Sequence, residues 1–289
     1  MPIAAIALDF DPILRLGDIA IRWQAVALAA GILAALTWAA VAGRRHQLGA
    51  DDLLFVVVGT VPGAVVGGRI GHVLGHADYY GANPQAIVDA AQGGLTLATA
   101  VAGGLLTGAI VARLLGTPVR WWLHLAAAPT LLAIAIGKLS MVLAGSGQGR
   151  PADAAWATAY VGPGPWASLA PDIPSHPAQV YEALVAAGVA AAVVLVLAAG
   201  ADRERSGRAF FAGIGLWALG RALVATTWRD AQVLGPLGVE QVLTLVLAAG
   251  CLVLLAVPIG WAAQSDGWRD PSAAGEGPEW PDPATRPRF

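Results

Sequence analysis

The sequence predicts an all-α, polytopic integral membrane protein of seven transmembrane helices, with its N-terminus outside the cell and its C-terminus in the cytoplasm. Three observations carry this. The 289 residues are 57% hydrophobic and only 12% charged, with a mean hydropathy of +0.64, whereas a soluble domain carries about 25% charged residues. Seven apolar runs of roughly 20 residues follow one another, each long enough to cross a bilayer. Arginines gather in alternate loops, which sets the orientation.

Taken in order, residues 1–20 lack a basic start, and Asp9, Asp11, Pro12 and Asp18 interrupt them. That pattern argues against a signal peptide and for a short segment at the outer interface. The spans are expected near 21–43, 52–74, 94–115, 119–144, 178–200, 208–228 and 237–263. Pro62 in the second and Pro129 in the fourth predict distortion there. Arg44 and Arg45, then Arg113 and Arg120, then Arg203, Arg205 and Arg208 flank alternate loops on one side, which is therefore the cytoplasmic one. The longest loop, 145–177, falls on the outer side and is rich in Gly, Pro and Ser, with Trp156, Tyr160 and Trp166 at intervals. A loop of that length is often functional. Residues 1–263 read as one transmembrane domain. The Pro-, Gly- and acid-rich stretch 264–289 reads as a disordered cytoplasmic tail.

Several function classes drop out. A net charge of −2 without a basic tract argues against a nucleic-acid partner. The only cysteine, Cys251, lies in an apolar run, so it excludes an intramolecular disulfide and reads as a buried, inert thiol. No metal-ligand spacing appears, and no cofactor is expected. Internal repeats of the kind that mark many transporters are missing.

The stretch Gly63–His76 stands out. Gly63, Gly67, Gly71 and Gly75 recur every fourth residue, a smooth stripe that lets a neighbouring helix approach closely. Arg69, His72 and His76 share another face, at i, i+3 and i+7. A cation at membrane depth is costly unless it meets a partner or a cavity. The same reasoning singles out Lys138, Glu182 and Arg221. His176 and Pro177 open the fifth span, so Glu182 falls near its outer boundary. Glu182 can be a structural partner neutralised by an arginine. Alternatively it belongs to a polar cluster around a lipid headgroup, with Arg69, Lys138 and Arg221 on the phosphate and His176 or Glu182 orienting them. Arginine suits phosphate because its planar fork donates paired, charge-assisted hydrogen bonds. Trp217 sits four residues before Arg221, a spacing suited to cation–π support. Glu240 opens the seventh span, where it can pair with an arginine on the outer side.

Two motifs carry a family resemblance. Gly67-Gly68-Arg69-Ile70-Gly71-His72-Val73-Leu74 resembles the G-G-R-I-G-Y-V-L stretch of prolipoprotein diacylglyceryl transferases, and His176-Pro177-Ala178-Gln179-Val180-Tyr181-Glu182 resembles their H-P-S-Q-L-Y-E segment. Phe10-Asp11-Pro12, Trp23, Gly93-Gly94-Leu95-Thr96-Leu97 and Gly220-Arg221 match in the same order, so the resemblance runs from about residue 8 to 262. It implies transfer of the diacylglyceryl group of phosphatidylglycerol to the lipobox cysteine of a prolipoprotein, at the plasma membrane of a bacterium. Arg69, Lys138 and Arg221 would then hold the lipid phosphate, with His72, His176 and Glu182 as the catalytic candidates.

The match has gaps. The family's H-G-G histidine is here Ala98. Its G-R-L-G-N-x-x-N-G-E motif has Lys138 for the arginine, Met141 for the first asparagine and Ser146 for the glutamate; Ala225 stands where a glutamate follows the sixth-span arginine. His72 replaces a family tyrosine one turn from Arg69 and is the nearest substitute base. These exchanges leave a second expectation open: a non-catalytic paralogue that binds phosphatidylglycerol or lipoprotein signal peptides.

Overall fold

A computed structural model describes residues 5–45, 49–89, 94–201, 206–230 and 232–256. Arg203, Arg205, Gly93, the end of the seventh span and the 264–289 tail lie outside the described residues. Seven helices are long and apolar enough to cross a membrane: α1 (Trp23–Arg45), α2 (Ala50–Gly75), α4 (Leu97–Leu114), α5 (Val119–Ser140), α6 (Ala178–Ala198), α7 (Arg208–Val224) and α8 (Val239–Ala256). A short helix, α3 (Ala77–Ala82), follows α2. The fourth and sixth spans end in tighter 3₁₀ turns, Met141–Ala144 and Ala225–Thr227. Both α2 and α5 continue past their internal prolines.

The glycine stripe does what its spacing predicts. A methyl group at Gly63 would collide with the Gly103 carbonyl and Thr107, one at Gly67 with the Thr99 carbonyl, and one at Gly71 with the Thr99 side chain. Thr99, Gly103 and Thr107 are themselves four apart on α4, so two small-residue ridges mesh and the backbones touch. This makes α2 against α4 the most extensive helix pair in the molecule. Gly75 meets Val239 instead, which ties the end of α2 to the start of α8.

The second packing unit is centred on α5, which contacts α1, α6 and α7, while α7 packs against α8. Leu131, Ile214, Trp217 and Ala186 are almost wholly buried there, and Cys251 is buried with them. Outward-facing residues such as Val58, Val66, Leu106, Leu195 and Leu223 are exposed, as a lipid-facing surface requires.

One end of the bundle carries the 145–177 loop. Three strand pairs gather at this end: β1 (Ile6–Leu8) parallel to β4 (Thr158–Tyr160), the hairpin β2 (Ile13–Leu16) with β3 (Ile19–Arg22), and the hairpin β5 (Gln232–Leu234) with β6 (Leu237–Gly238). Residues 6–22 thus form a strand and a hairpin. The long loop is built rather than slack. β4 is buried, and Trp166 packs on Phe10 and Tyr160 with ring centroids 5.0 and 4.8 Å away. Trp166 is an internal bracket, whereas Trp156 stays 58% exposed.

Candidate active site

At the loop end, four helices bring opposite charges into contact. Lys138 lies in the last turn of α5 and Arg221 in the last turn of α7; Glu182 is on α6, and Glu240 is in the first turn of α8. The Lys138 ammonium stands 3.1 Å from both Glu182 oxygens. Arg221 Nη1 donates to Glu182 Oε2, and its Nη2 donates to Glu240 Oε2 at 2.9 Å. Glu182 and Arg221 are each 3% exposed. Two cations thus face two carboxylates, and the set balances. That balance allows four charges to sit in a site where any one of them alone would be very costly.

Aromatic rings hold the guanidinium from the sides. Its carbon is 4.5 Å from the centroid of Trp228 and 5.9 Å from that of Trp217. Arg221 Nε is buried without a protein partner among the described residues. The clamp therefore retains one unused donor, and a buried donor left unmet costs about 1–3 kcal/mol.

His176 precedes α6, the helix that carries Glu182. Its backbone ties to Arg150 and Gly149, and its Nδ1 lies 3.2 Å from the Tyr181 hydroxyl, which also accepts a 2.7 Å bond from Trp156 Nε1. Nearby, Gln179 Nε2 donates to the Tyr160 hydroxyl at 3.1 Å. Burial pushes Tyr160 up to about 12, so it remains a neutral phenol throughout the physiological range.

Arg69 belongs to a different neighbourhood. Its Nε donates to the Ile87 carbonyl at 2.8 Å and its Nη2 to those of Ala86 and Asp89 at 2.6 and 3.3 Å; Nη1 reaches the Gly94 carbonyl at 3.4 Å. Among its partners are carbonyl oxygens at the end of the 3₁₀ turn Pro84–Val88, with the Tyr80 ring 5.2 Å away. His72 packs against the Gly94 backbone, and its ring centroid is 4.3 Å from that of His76.

Of the residues singled out in the sequence, Lys138, Glu182 and Arg221 come together directly. The Glu182–arginine pair exists, and Glu240 pairs with an arginine, namely the buried Arg221. Trp228 and Asp230 escaped notice. Both follow α7 in irregular chain, where no period marks them; the only signal for Asp230 is an acid beside Arg229 just before a span. Desolvation, and then the Glu240 charge, raises the Asp230 carboxyl above the usual carboxylate range, with Arg221, His76 and Arg150 opposing.

A model of the prolipoprotein diacylglyceryl transferase family matches residues 12–257, nearly the whole described bundle. The chain belongs to that family. A phosphatidylglycerol–prolipoprotein diacylglyceryl transferase of Trichormus variabilis is 30% identical over 254 residues, covering 85% of this chain and 88% of the relative. The transferase of the same name from Geobacter sulfurreducens is 32% identical over 245 residues, covering 81% and 90%. That of Brucella canis is 29% identical over 277 residues, covering 91% and 95%. Within this transferase family the exchanged positions now have locations. Ala98 is 1% exposed at the start of α4. Met141 opens the 3₁₀ turn after α5, and the Ser146 hydroxyl donates to its carbonyl at 3.3 Å. Ala225 lies one turn beyond Arg221, beside a cleft that also reaches Gln241.

Proposed function

We propose that this protein transfers the diacylglyceryl group of phosphatidylglycerol to the lipobox cysteine thiol of a prolipoprotein, on the extracytoplasmic side of a bacterial plasma membrane. The observation that supports it most is the balanced Lys138–Glu182–Arg221–Glu240 cluster, set at the end of a bundle that also encloses an apolar cavity. That cavity, about 410 Å³, lies among α1, α2, α4 and α5; apart from Thr60, Thr130 and the Trp122 indole its lining is apolar. Its size falls in the range of about 300–1,000 Å³ seen for ligand sites. Lys138 is five residues beyond Ala133 of the cavity wall, about 7.5 Å along the helix axis. An acyl chain in the cavity would hold its headgroup near the charges.

In the reaction a sulfur–carbon bond forms to the glyceryl carbon while its bond to the phosphate oxygen breaks. The thiol proton passes to a base, and glycerol phosphate leaves. Charge grows on the departing phosphate, and Lys138 and Arg221 are the groups to stabilise it. Arg221 offers its unused Nε. Glu240, whose side chain is 23% exposed against 4% for Glu182, is the carboxylate an incoming phosphate would displace. Glu182 has both oxygens committed and is assigned an orienting role. His72 is assigned as the thiol base, with His176 as the second histidine. Arg69 fixes the α2 end that carries His72. The 145–177 loop end is read as the outer one, and Arg44, Arg113 and Arg120 at the opposite end support that.

Expression in a strain depleted of its own transferase tests this reading: rescue of growth and of lipoprotein maturation is expected. Ala98, buried and without a proton to exchange, favours one second reading, a paralogue that binds the lipid or the signal peptide without turnover. Failure to rescue by a stably expressed protein would favour that reading.

A further inference from the structure

The long loop and the start of α6 build a short hydrogen-bond chain outside the charge cluster. Trp156 Nε1 donates to the Tyr181 hydroxyl at 2.7 Å, and that hydroxyl lies 3.2 Å from His176 Nδ1. We infer that Trp156 and Tyr181 are positioning residues that fix His176 as the tautomer protonated at Nε2, so that His176 serves the transfer as a hydrogen-bond donor to the departing phosphate and not as a second base. The inference rests on the transferase reading and gives its second histidine a role.

The direction of the chain follows from its donors. An indole N–H can only donate, so the Tyr181 oxygen accepts from Trp156. The Tyr181 proton then needs an acceptor, and among the described residues His176 Nδ1 is the one within reach. Were Nδ1 protonated instead, two donors would face the phenol oxygen and the Tyr181 proton would have water alone. With Nδ1 accepting, a neutral imidazole carries its proton on Nε2. Among the described residues nothing else meets the His176 ring nitrogens, so the Nε2 proton is available to a ligand. The Trp156 ring is 58% exposed, and its N–H is nonetheless spent on Tyr181.

The backbone holds His176 beside the connector that braces Arg221. Its N–H donates to the Arg150 carbonyl at 3.0 Å and its carbonyl accepts from Gly149 at 2.8 Å, while the Arg150 N–H reaches the Thr227 carbonyl at 2.7 Å. Thr227 adjoins Trp228, whose ring covers the Arg221 guanidinium. With the backbone tied on both sides and Nδ1 engaged, the ring is held in one setting. A donor fixed in this way costs no reorganisation as charge develops on a leaving group.

Magic-angle-spinning nitrogen-15 spectra of the full chain, labelled on histidine in phosphatidylglycerol vesicles at about pH 8, where a free imidazole is neutral, read the tautomer directly. The His176 signals are those that vanish in His176→Gln. A protonated Nε2 and a bare Nδ1 are expected, and Tyr181→Phe should give a mixture of the two tautomers. Transfer to a lipobox peptide supplies the second readout. Losing one donor to a developing anion slows a reaction by about 10²-fold or more, so His176→Ala should lower kcat by about that much. His176→Gln, whose amide places an N–H near the Nε2 position, should recover most of the loss, which a base could not. Tyr181→Phe should lower kcat by about tenfold through misorientation, with KM and the melting temperature unchanged. A bare Nε2 in the wild type, a glutamine variant as slow as the alanine one, or a Tyr181→Phe protein with the wild-type tautomer overturns the inference. A wild type that shows the Nε2–H tautomer yet transfers nothing leaves the tautomer assignment standing and overturns the transferase reading instead.

Discussion

The Glu182 carboxylate holds two cations at once, and this explains why three charged residues survive in apolar spans. Replacing it with glutamine leaves Lys138 and Arg221 facing each other with Glu240 as the contacting counter-charge and Asp230 farther off. Loss of one partner from a buried ionic set costs about 3–5 kcal/mol, so Glu182→Gln should lower the unfolding temperature in detergent as well as abolish transfer; an unchanged melting curve would show that the cluster is not a stability element. His72 is the sharper functional test. Its ring packs on His76 and Gly94 away from the core, so His72→Ala should fold normally while transfer slows by about 10²–10⁴-fold. An unchanged rate in a single-turnover assay would remove His72 from the chemistry. At this scale the sequence was informative about which residues matter, because an ionisable group in a span is a signal in itself. It was silent on who meets whom: Glu182 and Arg221 lie on different helices, and no spacing encodes their contact. Arg69, drawn from the same signal, has backbone carbonyls of Ala86, Ile87 and Asp89 among its partners.

Among the helices, α2 and α4 show the most direct passage from spacing to packing. Gly63, Gly67 and Gly71 repeat at four, and so do Thr99, Gly103 and Thr107. Because each glycine meets backbone or a β-branched side chain, the contact has little room to relax. Gly67→Val should therefore cost about 1–3 kcal/mol or more, read as a drop in thermal midpoint, whereas a valine at Gly188, which has open space around it, should cost less. Equal losses at both sites would mean that the stripe is not a contact. The seven spans were legible because about 20 apolar residues in a row admit few other readings. The pairing of Ile6–Leu8 with Thr158–Tyr160 was not, since it joins segments some 150 residues apart through short strands. The order of the long loop was not legible for the same reason: it draws on Phe10 and β1, which lie far away in sequence.

Across the whole molecule, the proposed function draws on two compartments, an apolar cavity among α1, α2, α4 and α5 and a charged site where α5 to α8 converge. Sequence periodicity shows which face of a helix is apolar, not which helices leave a gap between them, so the cavity could only come from the assembled bundle. The charged site was half visible, through its ionisable residues, while Trp228, Asp230 and the cleft beside them emerge from an irregular turn between two spans. The exchanged family positions Ala98, Met141, Ser146 and Ala225 make turnover, more than binding, the point to measure. Purified protein in phosphatidylglycerol vesicles, mixed with a synthetic lipobox peptide, answers it by mass spectrometry. The account predicts a peptide heavier by one diacylglyceryl group, with glycerol phosphate released in equal amount and both signals lost on Arg221→Ala. Folded wild-type protein that leaves the peptide mass unchanged would contradict it.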